Sequence, residues 1–323
     1  LPTGARGSST LRMVRAVRPL ARLIDERRPD CLCPIMATPS IVAIAALQFS
    51  RHQPTVILSI QNILELPPGV GWHWDVAVEN FLARLLFPRA HGVIALSHGV
   101  GRHLEKCIPR LSDKIVVIHN VGVPLDGQIA RHDPEGLPAR QHKVRYLACG
   151  RLVQQKGYRI LLQAFAKVVQ QVDAELHILG DGPQRRELES MANRLGIGGR
   201  VSFLGFRKNP FLHMQAADVF VVSSLWEGFA NVIVEAMAMG TAVIATDCPH
   251  GPAEIISDGR NGLLVPPADV KALASAMVRL GEDEALRRAL AEAGRERSAD
   301  FSAARIAGQY AAVFRRLTGR SGE

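Results

Sequence analysis

Short apolar runs rich in β-branched residues alternate along this chain with longer amphipathic segments, and this alternation constrains the fold more than any other feature. Because each strand of such a pattern is followed by a helix, its neighbours in the sheet are parallel and the helices cover the sheet faces. The sequence therefore predicts an α/β fold built on parallel sheets. The strand candidates are 31–35, 55–59, 92–96 and 114–118 in the first half, and 144–149, 174–179, 200–204, 218–223, 242–246 and 263–265 in the second.

The alternation is interrupted once, near the middle of the chain. Residues 121–143 contain three prolines and three glycines and follow neither a helical nor a strand period, which is typical of a linker. We therefore predict a domain over 1–120, the linker 121–143, a second domain over 144–300 and a terminal helical segment over 301–323.

Composition excludes several classes of protein. A chain of 323 residues with 47% hydrophobic and 21% charged residues resembles a water-soluble globular protein of two domains. No apolar run approaches the roughly 18 residues that cross a bilayer, and we find no signal-peptide pattern. The five cysteines do not have the spacing of a zinc site. We therefore expect a cytoplasmic protein rather than an integral membrane or secreted one.

The net charge of +9 is concentrated in the first half. Residues 1–145 hold 18 Lys and Arg against 11 Asp and Glu, a balance of +7. Arg12, Arg15, Arg18 and Arg22 recur at helical spacing, so they share one side of a predicted helix. Such a row is either the solvated face of an ordinary helix or a site for anionic lipid or a charged lipid-linked acceptor. Nucleic acid is not expected as a partner, because no aromatic-rich basic strand or recognition helix is present.

Two glutamates flank the start of a predicted helix in the second half. Glu227 follows the strand candidate 218–223, and Glu235 comes after seven intervening residues, within helix formers that end at Gly240. A strand-to-helix turn gathers backbone N–H groups and the positive end of a helix dipole, which favour a phosphate or diphosphate. A carboxylate beside them can accept hydrogen bonds from sugar hydroxyls. A ligand with both chemistries is a nucleotide sugar.

The spacing of Glu227 and Glu235 resembles the E-x7-E motif of retaining glycosyltransferases of family four. Four further segments resemble motifs of that family in the same order, among them a G-R-L-x-x-x-K-G loop at 150–157; the others are 179–183, 201–205 and 261–266. The resemblance implies the GT-B fold, in which two Rossmann-like domains with parallel sheets face a cleft and the second domain holds the donor.

Two further expectations about the domains come from this resemblance. Segment 301–323 would pack back toward the first domain. The first domain would be incomplete, because 31–35 resembles the family's fourth strand and the first three strands have no counterpart.

The resemblance also assigns roles to residues of the second domain. Arg151 and Lys156 would stabilise the leaving diphosphate, since fixed cations there favour the transition state. Glu227 would contact the transferred sugar, which completes the set of catalytic candidates. Glu235 would accept hydrogen bonds from the ribose hydroxyls. The remaining donor-binding candidates are Gly150, Phe206, Gly228, Phe229, Ala230, Asn231 and Val232.

In the first domain, the histidine that many relatives carry after the strand corresponding to 55–59 is absent. Gln61 and Asn62 stand there instead, and their amides can bind donor-sugar hydroxyls but cannot carry a proton at neutral pH. This suits the mechanism that the resemblance implies, in which the leaving phosphate takes the acceptor proton and the anomeric configuration is retained. No two aspartates are separated by a single residue, so we expect neither a metal ion nor a cofactor.

The loop 246–254 looks like the form found in enzymes that use UDP-hexoses and UDP-N-acetylhexosamines. The resemblance thus implies a hexosyltransferase that uses a UDP-sugar and a lipid-linked or polysaccharide acceptor in surface glycan biosynthesis. A GDP-mannose or ADP-glucose dependent transferase of the same fold is an alternative. A nucleotide-sugar-binding module without transfer activity is another, given the missing strands. The expected location is the cytoplasm, with peripheral contact to the inner face of the cytoplasmic membrane.

Overall fold

The computed structural model describes residues 9–61, 74–122 and 136–319. Contacts within the chain divide it into two units, one comprising Leu1–His119 with Ala307–Glu323 and the other comprising Asn120–Ile306. Each unit has its own parallel sheet. None of the helices in the described ranges combines the length and the apolar composition that crossing a membrane requires.

The first unit contains a four-stranded sheet in the order β1-β2-β3-β4. Its core forms where α1 packs against α2 and α3 and where the buried side of these helices meets β2 and β3. The last helix, α12 (Ala303–Thr318), contributes its residues from Ala307 onward. The strands are β1 Cys31–Leu32, β2 Thr55–Ile60, β3 Gly92–Ala95 and β4 Ile115–Val117, and the helices before α12 are α1 Ser9–Arg27, α2 Ala37–Leu47, α3 Trp74–Leu86 and α4 His98–Cys107.

The first strand is shorter than the predicted 31–35. Only Cys31 and Leu32 pair with β2, and Ile35 makes an isolated bridge to Ser59. Pro34 explains the break, because proline has no backbone N–H to donate to a sheet ladder. In the described part of the sheet β1 is an edge strand. The expectation of missing strands beyond it stays a prediction.

The second unit contains a six-stranded parallel sheet in the order β10-β9-β8-β5-β6-β7. The direction of the strand order reverses between β5 and β8, and ligands of open α/β sheets bind at the carboxyl ends of the strands at such a point. The strands are β5 Val144–Cys149, β6 Ala174–Leu179, β7 Val201–Gly205, β8 Val219–Val222, β9 Ala242–Thr246 and β10 Leu263–Val265. The helices are α5 Tyr158–Val168, α6 Arg185–Arg194, α7 Phe211–Ala216, α8 Asn231–Ala238, α9 Pro252–Ile255, α10 Val270–Glu282 and α11 Glu284–Ser298.

A buried charged cluster lies at the start of β5 and β6 in this unit. The Nε atom of Arg145 donates to Oε1 of Glu175 at 2.6 Å, and His177 Nε2 lies 3.8 Å from the same oxygen. Burial, and then the charge of Arg145, lower the pKa of His177 to about 4. The backbone N–H of Gln141 also donates to Glu175, at 3.1 Å, so the end of the predicted linker is fixed to the sheet.

Candidate active site

The loop that follows β5 forms the first wall of the site. Its 3-10 turn, Gln154–Lys156, ends at Gly157, whose φ of 64° lies in the left-handed region. A Cβ at Gly157 would stand 2.0 Å from the carbonyl oxygen of Ser223, so only glycine fits without a shift of the backbone. The loop after β5 therefore runs directly against the end of β8.

Three hydrogen bonds join the loop after β5 to the segment after β8. The Ser223 hydroxyl donates to the Lys156 carbonyl at 2.8 Å, and the Leu225 backbone N–H donates to the Gln155 carbonyl at 2.8 Å. The Gln155 side-chain amide donates to the Trp226 carbonyl at 3.0 Å. These bonds fix the distance between Lys156 and the residues that follow Trp226.

Glu227 is the buried centre of this junction. Its carboxylate oxygen Oε1 accepts from Lys156 Nζ at 2.5 Å and from the Ser224 hydroxyl at 2.6 Å. The Ser224 carbonyl in turn accepts from the Thr246 hydroxyl at 2.5 Å. The Glu227 side chain is only 7% exposed. Within the described residues nothing donates to Oε2, so this oxygen can accept a hydrogen bond from a ligand hydroxyl.

Backbone N–H groups gather where α8 begins. Ala230 precedes the helix with φ 67° and ψ 62°. The N–H groups of Gly228, Ala230, Asn231 and Val232 donate to no acceptor in the part of the chain that the structure describes. The Asn231 side-chain oxygen accepts from Asn120 at 3.3 Å. Free amides at the positive end of a helix are suited to bind a phosphate group.

The turn before α8 is tightly packed, and the Phe229 side chain is buried. Its ring packs against Phe301, with 5.4 Å between the ring centroids. Gly251 lies so close that a Cβ there would be 2.6 Å from the Cα of Phe229. Packing on both sides thus holds the backbone of 228–230 in place.

Glu235 lies one turn inside α8 and is half-buried. No described residue donates a hydrogen bond or a positive charge to its carboxylate, and burial raises its pKa. Its charge also contributes to the pKa of the Cys149 thiol, which burial raises to about 12, so Glu235 is close to the carboxyl end of β5. A half-buried carboxylate without a donor can bind the hydroxyl groups of a ligand.

The remaining candidates lie at separate places. Arg151 is exposed in the loop after β5 and forms no ion pair with a described residue, and Phe206, directly after β7, is 73% exposed. Gly150 donates its N–H to Leu179. Gln61 follows β2 in the first unit, where its amide donates to the Ser59 hydroxyl at 3.2 Å. Asn62 lies outside the described residues.

The sequence predicted Lys156 and Glu227 in the same site, but it did not predict their direct contact or the hydrogen bond from Ser224 to Glu227. It also missed the bonds that Gln155 and Ser223 form between the two loops. One signal was present, since Ser224 precedes Glu227 by three residues at the end of a strand candidate. The bonds between the loops join residues about 70 positions apart, for which the sequence gives no signal.

Comparison with known proteins agrees with this geometry. A family model described as "Glycosyl transferases group 1" matches residues 143–283, and one described as "Glycosyltransferase Family 4" matches residues 2–126. Among solved structures, sucrose-phosphate synthase from Thermosynechococcus elongatus superposes with a TM-score of 0.82 at 25% identity, over 99% of this chain and 82% of that one. HepE of Anabaena in complex with UDP gives 0.76 at 25% identity, over 92% and 81%. The fold and the site thus define the class, a GT-B glycosyltransferase fold of two Rossmann-like domains.

Relatives found by sequence similarity are also glycosyltransferases. A Campylobacter jejuni N-acetylgalactosaminyltransferase, whose name specifies a diphospho-undecaprenol-linked substrate, is 28% identical over 83% of this chain and 72% of its own length. The lipopolysaccharide core biosynthesis glycosyltransferase LpsE of Rhizobium meliloti is 39% identical over 46% and 43%. A glycosyltransferase of Methanocaldococcus jannaschii is 36% identical over 50% and 47%, so the chain spans about half the length of several relatives. The two family models match in the order of the two domains, so both halves of the chain are similar to glycosyltransferases of the family-four type.

Proposed function

We propose that this protein is a retaining glycosyltransferase that moves a hexose or N-acetylhexosamine from a UDP-sugar to a lipid-linked or polysaccharide acceptor in surface glycan biosynthesis. One observation carries the proposal. At the carboxyl ends of β5 and β8, the Lys156 ammonium and the Glu227 carboxylate lie beside the free N–H groups that begin α8. The ammonium and the backbone amides can bind the negative charge of a diphosphate, and the carboxylate can accept hydrogen bonds from the hydroxyls of a sugar.

In the proposed reaction the bond between the sugar anomeric carbon and the diphosphate oxygen breaks as the acceptor hydroxyl forms the new glycosidic bond on the same face. The hydroxyl proton passes to the leaving diphosphate. Lys156, Arg151 and the amides of 228–232 would stabilise the negative charge that develops on the diphosphate. Glu227 would hold Lys156 in position and bind a sugar hydroxyl, and Glu235 would bind the ribose. No step requires a metal ion or a cofactor.

Three observations support the choice of donor and acceptor. HepE, with 25% identity, was crystallised with UDP. The name of the Campylobacter relative specifies a lipid diphosphate, and that of LpsE specifies lipopolysaccharide core synthesis. The loop 246–254 has the form expected for UDP-hexose enzymes. Peripheral contact with the inner face of the cytoplasmic membrane is part of the same proposal, because a lipid-linked acceptor resides there.

The donor is tested by measuring the affinities of UDP, GDP and ADP by isothermal titration calorimetry. We expect UDP to bind most tightly. GDP or ADP as the tightest ligand would redirect the assignment to a GDP-mannose or ADP-glucose enzyme. Transfer is then tested with labelled UDP-hexoses, UDP-N-acetylhexosamines and lipid-diphosphate acceptors. UDP binding without transfer from any donor would favour a nucleotide-sugar-binding module, and inversion of the anomeric configuration would contradict the mechanism.

A further inference from the structure

One side of α3 exposes large apolar side chains. Trp74, Phe81 and Leu85 are 73%, 67% and 55% exposed. They follow one another at steps of seven and four residues, so they form a stripe along a single side of the helix. The opposite side of α3, which includes Ala83 and Leu86, is buried in the core of the first unit. The helix therefore has two apolar sides, and its own unit covers only one of them.

The neighbouring helix α1 exposes cations. It packs against both α2 and α3 and so belongs to the same helical layer. Arg15, Arg18 and Arg22 are exposed on it, while the side chain of Arg12 lies outside the described residues. The surface of this layer thus combines an apolar stripe on one helix with a row of positive charges on the helix beside it.

We propose that this layer docks on an anionic lipid bilayer, with Trp74, Phe81 and Leu85 inserted at the interface and the α1 arginines on the lipid phosphates. Apolar and aromatic side chains that enter the lipid, combined with basic residues that attract anionic headgroups, are typical of surfaces that bind at a membrane interface. Charge complementarity selects this occupant. In a two-fold dimer the same patch would meet itself, and the arginine rows would face each other at a cost in free energy.

This inference rests on the peripheral membrane location in the proposed function, and it names α3 as the element that enters the lipid. The two helices contribute differently. The attraction of α1 to lipid phosphates is screened by salt, whereas the insertion of the α3 stripe is not. The part of the binding that persists at high salt therefore reports on α3.

The first experiment measures sedimentation with vesicles of phosphatidylcholine alone and of equal parts phosphatidylcholine and phosphatidylglycerol. We expect the wild-type chain to bind the anionic vesicles preferentially. The double variant Phe81→Gln, Leu85→Gln should lose about tenfold or more in affinity at low and high salt alike, since two apolar side chains no longer enter the lipid. The triple variant Arg15→Gln, Arg18→Gln, Arg22→Gln should lose chiefly the salt-sensitive part.

The matched control is Leu195→Gln, an exposed leucine of the second unit, which should bind as the wild type does. Circular dichroism and thermal unfolding of every variant confirm that the fold is kept, as expected for side chains this exposed. Insertion is read from tryptophan fluorescence in a Trp226→Phe background, which leaves Trp72 and Trp74 as reporters. Lipids brominated on the acyl chain should quench this emission, and the α3 double variant should lose the quenching.

The outcomes separate the two proposals. Absence of binding to anionic vesicles would overturn the docking surface and the peripheral location together, while the UDP titrations would still judge the donor site. Wild-type binding by the α3 double variant, or binding without quenching, would overturn only the insertion of α3. A wild-type dimer in size-exclusion chromatography that the α3 double variant converts to a monomer would identify a second copy as the occupant and would also overturn the proposal.

Discussion

At the scale of single residues, Lys156 and Glu227 depend on each other, because a buried carboxylate needs a charged or hydrogen-bonding partner. Lys156→Ala should lower turnover about a hundredfold or more, the effect of losing one preorganised charge at the leaving group. Lys167→Ala, on α5 in the same unit, is the matched control and should leave turnover unchanged. Because Glu227 also loses its partner, the free energy of unfolding must be measured alongside. Near-normal turnover in folded Lys156→Ala would contradict the proposed role of Lys156 in stabilising the leaving diphosphate.

In the proposed mechanism Ser224 is a positioning residue rather than a catalytic one, since its hydroxyl contacts Glu227. Ser224→Ala removes one of the two donors to Oε1 and lets the carboxylate rotate. We expect kcat to fall by about tenfold with UDP affinity unchanged, because a neutral hydrogen bond is worth about 1 kcal/mol and a charged one more. Ser224→Thr should restore part of the rate. A parallel fall in UDP affinity would indicate a general distortion of the site instead.

Because burial raises the pKa of Glu235, we expect donor binding to depend on pH. Glu235→Ala should weaken UDP binding by about 1.5 to 3 kcal/mol, the range for a charge-assisted hydrogen bond. The ionised carboxylate is the better acceptor, and burial raises its pKa above the ordinary 4.5. As pH falls through this raised pKa, the wild-type chain should lose more UDP affinity than Glu235→Gln, which cannot titrate. Parallel pH profiles from calorimetry would exclude the ribose contact.

At the scale of elements, the close approach of two loops depends on Gly157. Gly157 and Gly196 both have φ in the left-handed region, at 64° and 71°, but a Cβ at Gly196 would meet nothing within 4 Å. Gly196→Ala should therefore cost only the intrinsic strain of about 1 to 2 kcal/mol. Gly157→Ala should lower the free energy of unfolding further and weaken UDP binding, because the loop must move from Ser223. Equal midpoints of urea unfolding for the two variants would contradict the expected clash between a Cβ at position 157 and the Ser223 carbonyl oxygen.

Element positions were largely predictable from the sequence. The strands β5, β6, β9 and β10 have the bounds that the apolar runs predicted, because a strand buried on both faces is apolar along its whole length. The length of β1 was overestimated, because the apolar run of the sequence continues through Pro34 whereas the hydrogen-bonded ladder to β2 cannot include a proline N–H. The start of α8 was predicted because helix formers begin after Ala230. The left-handed φ of Ala230 was not predicted, since alanine rarely adopts this conformation.

At the scale of the whole molecule, the buried cluster around His177 makes the second unit sensitive to acid. His177 is 3% exposed, and its folded pKa of about 4 lies below the ordinary 6.5. The unfolded chain therefore binds the proton more readily. Stability contributed by the neutral ring is complete above pH 6.5 and is lost as pH falls toward 4, at up to about 1.4 kcal/mol per pH unit. Charges that act on this ring belong to Arg145, Glu175, His213 and Arg140.

This dependence is measured by urea unfolding at a series of pH values. His177→Gln cannot take up the proton, so its free energy of unfolding should fall less steeply between pH 6.5 and 4. The slope rather than the absolute stability is the readout, because the substitution itself changes packing. A slope equal to that of the wild type would place the acid sensitivity elsewhere.

By itself the sequence determined the alternation of strands and helices, the resemblance to family-four glycosyltransferases and the segments that meet at the candidate site, because hydrophobic period, glycine placement and motif spacing are local properties. Tertiary structure alone decided that Lys156 and Ser224 share one oxygen of Glu227, that Glu235 has no partner among the described residues, and that α3 exposes an apolar stripe. Hydrogen bonds and burial depend on which distant segments pack together, and no local pattern encodes that packing.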